Sequence, residues 1–271
     1  MNNDSPQKAL LVIFLVALLC SVLVSVAAVS LRPTQLRNQL VERSRNIVAL
    51  SGIVEPGQKL SSDEILAAIE QLDVRIVDID SGKFDDSKDP NEFDPRAAAN
   101  DPDLGVAIPA DADSANLGRR TRYEIVHLVW DGDELSRVIL PIVGQGMWST
   151  LYGYIALEAD LNTIAAVSFY EQAETAGLGD QIVHPDWQAK WVGRELFGSD
   201  GSVRFRIAAG PVDAGSSAAR NQVDGLTGAT VTANAVTRLI AYWFGPHGYS
   251  TFLDNLGNQP PVRVAAQRGQ E

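Results

Sequence analysis

The sequence is poor in the residues that staple chains together or ligate metals. It holds one cysteine, Cys20, so it can form no intramolecular disulfide, thiolate metal site or iron–sulfur cluster by itself. It holds three histidines, His127, His184 and His247, far apart and without HExxH or any other metal-ligand spacing, which argues against a dedicated metal site. Basic residues are also scarce. With 22 Lys and Arg against 34 Asp and Glu, the net charge is -12, and nucleic acid is excluded as a partner because phosphate binding needs basic patches. No Walker A motif, no helix-opening GxGxxG and no internal repeat is present. Gly144 and Gly146 form only a GxG, a weak sign of dinucleotide binding.

What is present reads as a globular chain of 271 residues, 45% hydrophobic and 21% charged, with one long apolar run. Ala9 to Leu31 carries no charge, and its 23 residues suit a membrane-spanning helix. A cleaved signal peptide is the rival reading. "SVAAVS" offers small residues, but the run exceeds a signal core of about 7–15 residues. Arg32, Arg37, Arg43 and Arg45 follow the span and only Lys8 precedes it. Taken literally, that places the large domain in the cytoplasm, although long domains translocate regardless of charge. No carboxylate lies in the span, so the helix is not expected to conduct a cation.

After the span, Leu36, Leu40, Ile47 and Leu50 are spaced for an amphipathic helix continuing the anchor. A loop with Pro56 and Gly57 follows. Ser61 and Glu64 then form a capping box ahead of Ile65, Leu66, Ile69 and Leu72. From Glu70 to Asp113 there are 13 acidic against 4 basic residues, with Pro90, Pro95, Pro102 and Pro109, which reads as a long acidic loop packed on the domain. "RYEIVHLVW" and "ELSRVILPIV" read as strands joined by a turn at Asp131-Gly132. "LYGYIALEA" and "IAAVSFYEQ" form a second pair around "DLNT". "PDWQAKWVGRELFG" has the spacing of a short helix, and "SVRFRIAAG" alternates like a strand. A last helix runs from Thr230 to about Phe244 and is stopped by Gly245-Pro246. Antiparallel neighbours with flanking helices make an α+β fold. The expected organisation is a tail (1–8), a transmembrane helix (9–31), a helical and acidic linking region (32–120), a main domain (121–258) and a C-terminal tail (259–271).

Two loops draw attention. "DGLTGAT", Asp224 to Thr230, stands at the start of the last helix. The outward N–H groups of a helix N-terminus stabilise phosphate, and Gly228 and Ala229 would let it approach the backbone. Gly225 is expected to take the left-handed conformation of the turn. The same residues also suit a plain threonine N-cap after a glycine turn. "ETAGLGDQI", Glu174 to Ile182, places Leu178 between Gly177 and Gly179, able to lie along a planar ligand with Glu174 and Thr175 at its polar edges. It also suits an ordinary connection.

"DGLTGAT" with "GQGMWS", "YEQAETAGLGD" and the paired tryptophans of "W…WVG" resembles the FMN-binding domains of bacterial membrane redox complexes. The whole chain, with its anchor and "VDIDSGKFDD", resembles the C subunit of the Na+-translocating NADH:quinone reductases. Ala176 departs from the usual proline of that pattern, which loosens the loop. The resemblance implies FMN joined by a phosphoester to Thr230, attached by a separate flavin transferase. Asp224 would hold the turn or serve the transferase. Thr227, Gly228 and Ala229 would line the phosphate, and Thr232 would hydrogen-bond near it. Glu174, Thr175, Gly177, Leu178 and Gly179 would border the flavin ring. Trp148 is either an aromatic neighbour of the ring or a core tryptophan. The resemblance further implies an electron relay without a general base or nucleophile, working with other subunits in the bacterial inner membrane, its flavin domain on the periplasmic side. This conflicts with the arginine count. The related G subunit of Rnf-type ferredoxin:NAD complexes shares the motif but not the acidic segment. A cofactor-free assembly module and a flavoenzyme acting alone are the readings from other classes.

Overall fold

The computed structural model describes residues 6–54 and 58–263. Sequence readings that fall on residues 1–5, on Pro56 and Gly57, on the tail from 264, or on the side chains of Leu36, Arg37 and Leu40 lie outside the described residues. Two units are present, the first ending at Ser44 and the second beginning at Arg45. The boundary lies inside helix α1, Pro6–Ser51, so the anchor does continue as one helix beyond Pro33. Within it, Lys8–Gln35 is long and apolar enough to cross a membrane, and its large apolar side chains, Leu10 to Leu31, are exposed.

The second unit opens with the last turns of α1, followed by α2 (Ser62–Ile69), which starts with the expected capping box. Ser61 N donates to Glu64 Oε2 at 2.8 Å and Glu64 N donates to Ser61 Oγ at 3.3 Å. Strands β1 (Asp73–Asp78) and β2 (Lys83–Phe84) come next, then α3 (Pro95–Asn100), β3 (Gly105–Ala107) and β4 (Arg119–Thr121). The long strands are β5 (Tyr123–Asp131), β6 (Glu134–Gln145), β7 (Thr150–Glu158) and β8 (Ile164–Glu171). After them come the short helix α4 (Pro185–Gln188), β9 (Arg206–Ile207), β10 (Gln222–Val223), α5 (Thr230–Trp243) and α6 (Ser250–Asn258).

One six-stranded sheet has the order β2-β1-β5-β6-β7-β8, and every neighbour is antiparallel. The β5–β6 hairpin closes through Gly132 and Asp133, with Gly132 at φ 60, a value that suits glycine. One sheet face carries Val126, Leu128, Leu140 and Ile155 against α5 and α6. The other carries Val129, Ile139 and Ala156 with Ile47 and Leu50 from the end of α1. The alternation of apolar residues along β5 to β7 serves both faces, as a sheet buried on two sides requires.

Three expectations change. The acidic stretch is not only a loop: β1 pairs with β5 over six residues, from Asp73↔Leu128 to Asp78↔Tyr123. A domain begun at residue 121 would therefore omit two strands of its own sheet. The acids are tolerated there because several are paired: Asp73 with Arg75, Asp78 with Arg122 and Asp80 with Arg120. "PDWQAKWVGRELFG" yields only the one-turn α4 and a 3-10 turn, because Trp187 and Trp191 point into an aromatic cluster with Phe169 and Phe205. "SVRFRIAAG" yields only the two residues of β9, paired in parallel with β10.

Helix α5 lies on β6. Trp243 Nε1 near its end donates to Val143 O at 2.6 Å, and Tyr249 Oη beyond it donates to Pro141 O at 2.8 Å. Leu239 fits against Gly144, where a Cβ would stand 2.9 Å from it. These contacts fix the axis of the helix and hence where its first turn emerges.

Candidate functional site

The first turn of α5 emerges from a tight turn. Ala229 N donates to Leu226 O at 3.1 Å, and Gly228 has φ +76. A type II turn needs a positive φ at that third position, so glycine belongs there. The left-handed residue is thus Gly228, and Gly225 serves another purpose. A Cβ on Gly225 would stand 2.5 Å from Ala208 O, so this glycine lets two backbone segments touch.

Thr230 is the first residue of the helix, and Ala229 is the cap. Among the described residues no side chain caps this end, and with Ala229 at the cap position Thr230 is not a plain threonine N-cap. The Thr230 side chain is exposed, beside outward N–H groups that carry the positive end of the helix dipole. Asp224 is bonded to the segments beside the turn. It accepts from Lys190 Nζ at 2.7 Å and from Val212 N at 2.8 Å, and its carbonyl accepts from Trp187 Nε1 at 3.1 Å. The lysine bond, then the backbone bond, keeps its carboxyl below the usual range.

Glu174 departs from its expected place. It is 7% exposed and does not face outward from the loop. Its Oε1 accepts from Trp148 N at 2.9 Å and Ser149 N at 3.3 Å. Its Oε2 accepts from Met147 N at 3.1 Å and Thr232 Oγ1 at 2.6 Å. Burial alone would push this carboxyl up; the bonds from Thr232 and from the 147–149 backbone outweigh it and hold it below the ordinary glutamate range. Glu174 is therefore an ionic buckle joining three segments: the "GQGMWS" loop, its own loop and α5. Thr232, expected beside a phosphate, spends its hydroxyl on this buckle and is buried. Gly146 and Gly179 are glycines for the same reason. A Cβ would stand 2.6 Å from Glu174 Oε1 in the first case and 2.8 Å from Thr232 Oγ1 in the second.

The buckle leaves apolar side chains on the surface. Trp148 is 65% exposed, which removes the core-tryptophan alternative, and its Nε1 donates to Thr175 Oγ1 at 3.1 Å. Leu178 is 41% exposed and lies over Gly228, where a Cβ would be 2.9 Å from its Cδ2. Gly177, at φ +75, and Thr227 are exposed on the same loops. Met147 and Val231, next in sequence to Trp148 and Thr230, are exposed large hydrophobics as well. Neither stands out in the sequence, where an isolated apolar residue carries no signal. Lys190 does not stand out either, because nothing local ties it to Asp224, 34 residues away.

Helix N–H groups, an open hydroxyl, a side-chain-free Gly228 and an exposed indole beside a leucine suit a planar ligand with an anionic tail. Comparison with known proteins agrees. Residues 146–245 match the family described as FMN-binding domain. The C subunit of a Na(+)-translocating NADH-quinone reductase from Pseudomonas aeruginosa is 44% identical, covering 94% of this chain and 97% of that protein. The protein of the same name from Vibrio parahaemolyticus is 40% identical over 93% and 95%. The crystal structure of Shewanella oneidensis NqrC superimposes with a TM-score of 0.72 at 34% identity, covering 82% of this chain and 98% of that one. The Rnf-type alternative gains no support from these matches. The chain belongs to the NqrC family, the C subunits of the Na+-translocating NADH-quinone reductases, and it carries that family's FMN-binding domain.

Proposed function

We propose that this chain is the FMN-carrying electron-relay subunit of a membrane complex that couples NADH oxidation and quinone reduction to Na+ export, with FMN joined through its phosphate to Thr230 Oγ1. The observation that carries this reading is the exposed Thr230 hydroxyl on the uncapped first turn of α5, next to Gly228. An anion at that place is stabilised by N–H groups that, among the described residues, have no side-chain partner. Bound FMN supplies the redox chemistry. The protein's part is positional. Trp148 and Leu178 border the ring, the Glu174 buckle fixes both loops to α5, and Asp224 with Lys190 holds the turn behind Thr230. Asp224 stays off the phosphate, since two anions repel. A covalent link removes dissociation as a route of cofactor loss while leaving the ring to be tuned by contacts alone. A flavin transferase makes the link, and the soluble unit lies on the periplasmic side of the bacterial inner membrane, held by Lys8–Gln35. The arginines after the span then sit outside, against the literal charge rule.

A denaturing gel viewed under ultraviolet light tests the link. Wild type and Thr230→Val are each expressed with the transferase. The wild-type band is expected to fluoresce after denaturation and the variant band to be dark. A dark wild-type band, with the transferase active on a control substrate, would overturn the covalent reading.

A further inference from the structure

We propose that the groove Thr230 shares with β9 and β10, which neither Trp148 nor Leu178 lines, is the anion subsite in which Arg206 binds the phosphate of FMN. The inference rests on the FMN reading above and deepens it by assigning the phosphate end to residues outside the "DGLTGAT" motif.

The groove has a volume of about 390 Å³ and is lined by Arg206, Gln222, Thr230 and Asn234 over apolar Ile207 and Leu226. That size falls among small-ligand sites. Among the described residues, Arg206 is the only charged one in the lining. It belongs to a protein of net charge -12, where a lone cation in a cleft selects for an anion. Three basic residues near it in sequence or beside its motif are paired: Arg204 with Asp200 at 2.6 Å, Lys190 with Asp224 at 2.7 Å and Arg220 with Glu195 at 3.5 Å. Among the described residues no carboxylate pairs with Arg206.

Its guanidinium is nonetheless held. Arg206 and Gln222 are register partners across β9 and β10. With the Gln222 amide oxygen turned toward it, Arg206 donates from Nη2 at 2.6 Å and from Nε at 2.8 Å. Those bonds occupy one edge of the fork and leave the Nη1 donors for an incoming acceptor. Strand β9 is itself tied to α5, since Ile207 N donates to Thr237 Oγ1 at 3.0 Å. Thr237 also donates to Ala233 O at 3.1 Å, so its hydroxyl shapes the groove and is not free for a ligand. Asn234 is exposed one helical turn after Thr230 and on the same face. Arginine, hydroxyl and amide thus border one space at the attachment point. A phosphate already joined to Thr230 keeps one negative charge, and one arginine offsets it.

The test uses the full chain without flavin, made in a host lacking the transferase and titrated with FMN and with riboflavin, which has no phosphate. Wild type is expected to prefer FMN by about tenfold or more, as a hydrogen bond to a charged group gives. Arg206→Gln is expected to lose that preference without weakening riboflavin, and Arg206→Lys to recover part of it. Arg204→Gln, which removes an equal charge two residues away, is expected to bind as wild type does. Equal loss for both flavins in Arg206→Gln, or an unchanged FMN preference, would overturn the proposal. If wild type binds neither flavin measurably, the initial rate of covalent loading decides. Slow loading of Arg206→Gln with Arg204→Gln unaffected supports the subsite, and equal rates overturn it. A wild type that never loads but prefers FMN in titration, with that preference lost in Arg206→Gln, would refute the phosphoester at Thr230 while leaving Arg206 as the phosphate ligand. With neither binding nor loading, both readings fall.

Discussion

Replacing Glu174 tests whether one buried carboxylate holds the site together. Its four donors are three backbone N–H groups and the Thr232 hydroxyl, at 2.6 to 3.3 Å. In Glu174→Gln the amide oxygen can keep the bonds from Trp148 and Ser149. The NH2 group then faces the Met147 N–H, a donor against a donor, while the Thr232 hydroxyl can turn to accept. One charge-assisted bond is lost and one N–H is left unsatisfied, a cost of roughly 2 kcal/mol. Glu174→Ala leaves all four donors without a partner and is expected to cost about 4 kcal/mol. The pH dependence follows the depressed carboxyl of the folded state. A carboxyl held lower in the folded than in the unfolded chain contributes stability above the unfolded value and loses it as pH falls through the folded one. The wild type should therefore shed this contribution on acidification below the ordinary glutamate range, and Glu174→Gln should not. Urea unfolding of the full chain in detergent, followed by tryptophan fluorescence at several pH values, measures both effects. A Glu174→Gln loss below about 0.5 kcal/mol at neutral pH, or an acid limb parallel to wild type, would refute the buckle.

Two further perturbations probe the frame around the site. Gly225→Ala places a Cβ 2.5 Å from Ala208 O and 3.0 Å from Ala209 C, both backbone, so the unfolding midpoint should drop by the equivalent of roughly 1–3 kcal/mol. An unchanged midpoint would mean the two segments separate freely. His127 is buried, and burial lowers its pKa to about 4 from 6.5, with Nδ1 lacking a partner among the described residues. The unfolded chain takes up the proton first, so stability is lost as pH falls from 6.5 toward 4, by up to roughly 3 kcal/mol. His127→Leu should flatten that limb in the same unfolding series, and an unaltered slope would place the acid sensitivity elsewhere.

The sequence by itself determined the features whose cause is local. The uncharged run sets a membrane-length helix, because every backbone polar group there must be satisfied within the segment. The Ser61–Glu64 box, the β5–β6 hairpin at Gly132, and the start and stop of α5 are likewise written in a few adjacent residues. Thr230 could be singled out because its motif is contiguous. Tertiary structure decided what depends on partners far along the chain. Strand β1 forms within an acidic stretch because β5 offers it a ladder, Arg122 offsets Asp78 in it and Arg120 offsets Asp80 just beyond it. Glu174 turns inward because three N–H groups of the 147–149 loop and Thr232, 58 residues on, converge on it. That convergence is what turns Trp148 outward. Gly225 and Gly228 look alike in sequence, yet one is required by a neighbouring carbonyl and the other by its own φ. The Arg206 groove depends on β9 pairing with β10 and being tied to α5. No periodicity encodes such a meeting, since its free energy comes from contacts between segments that the local pattern leaves unspecified.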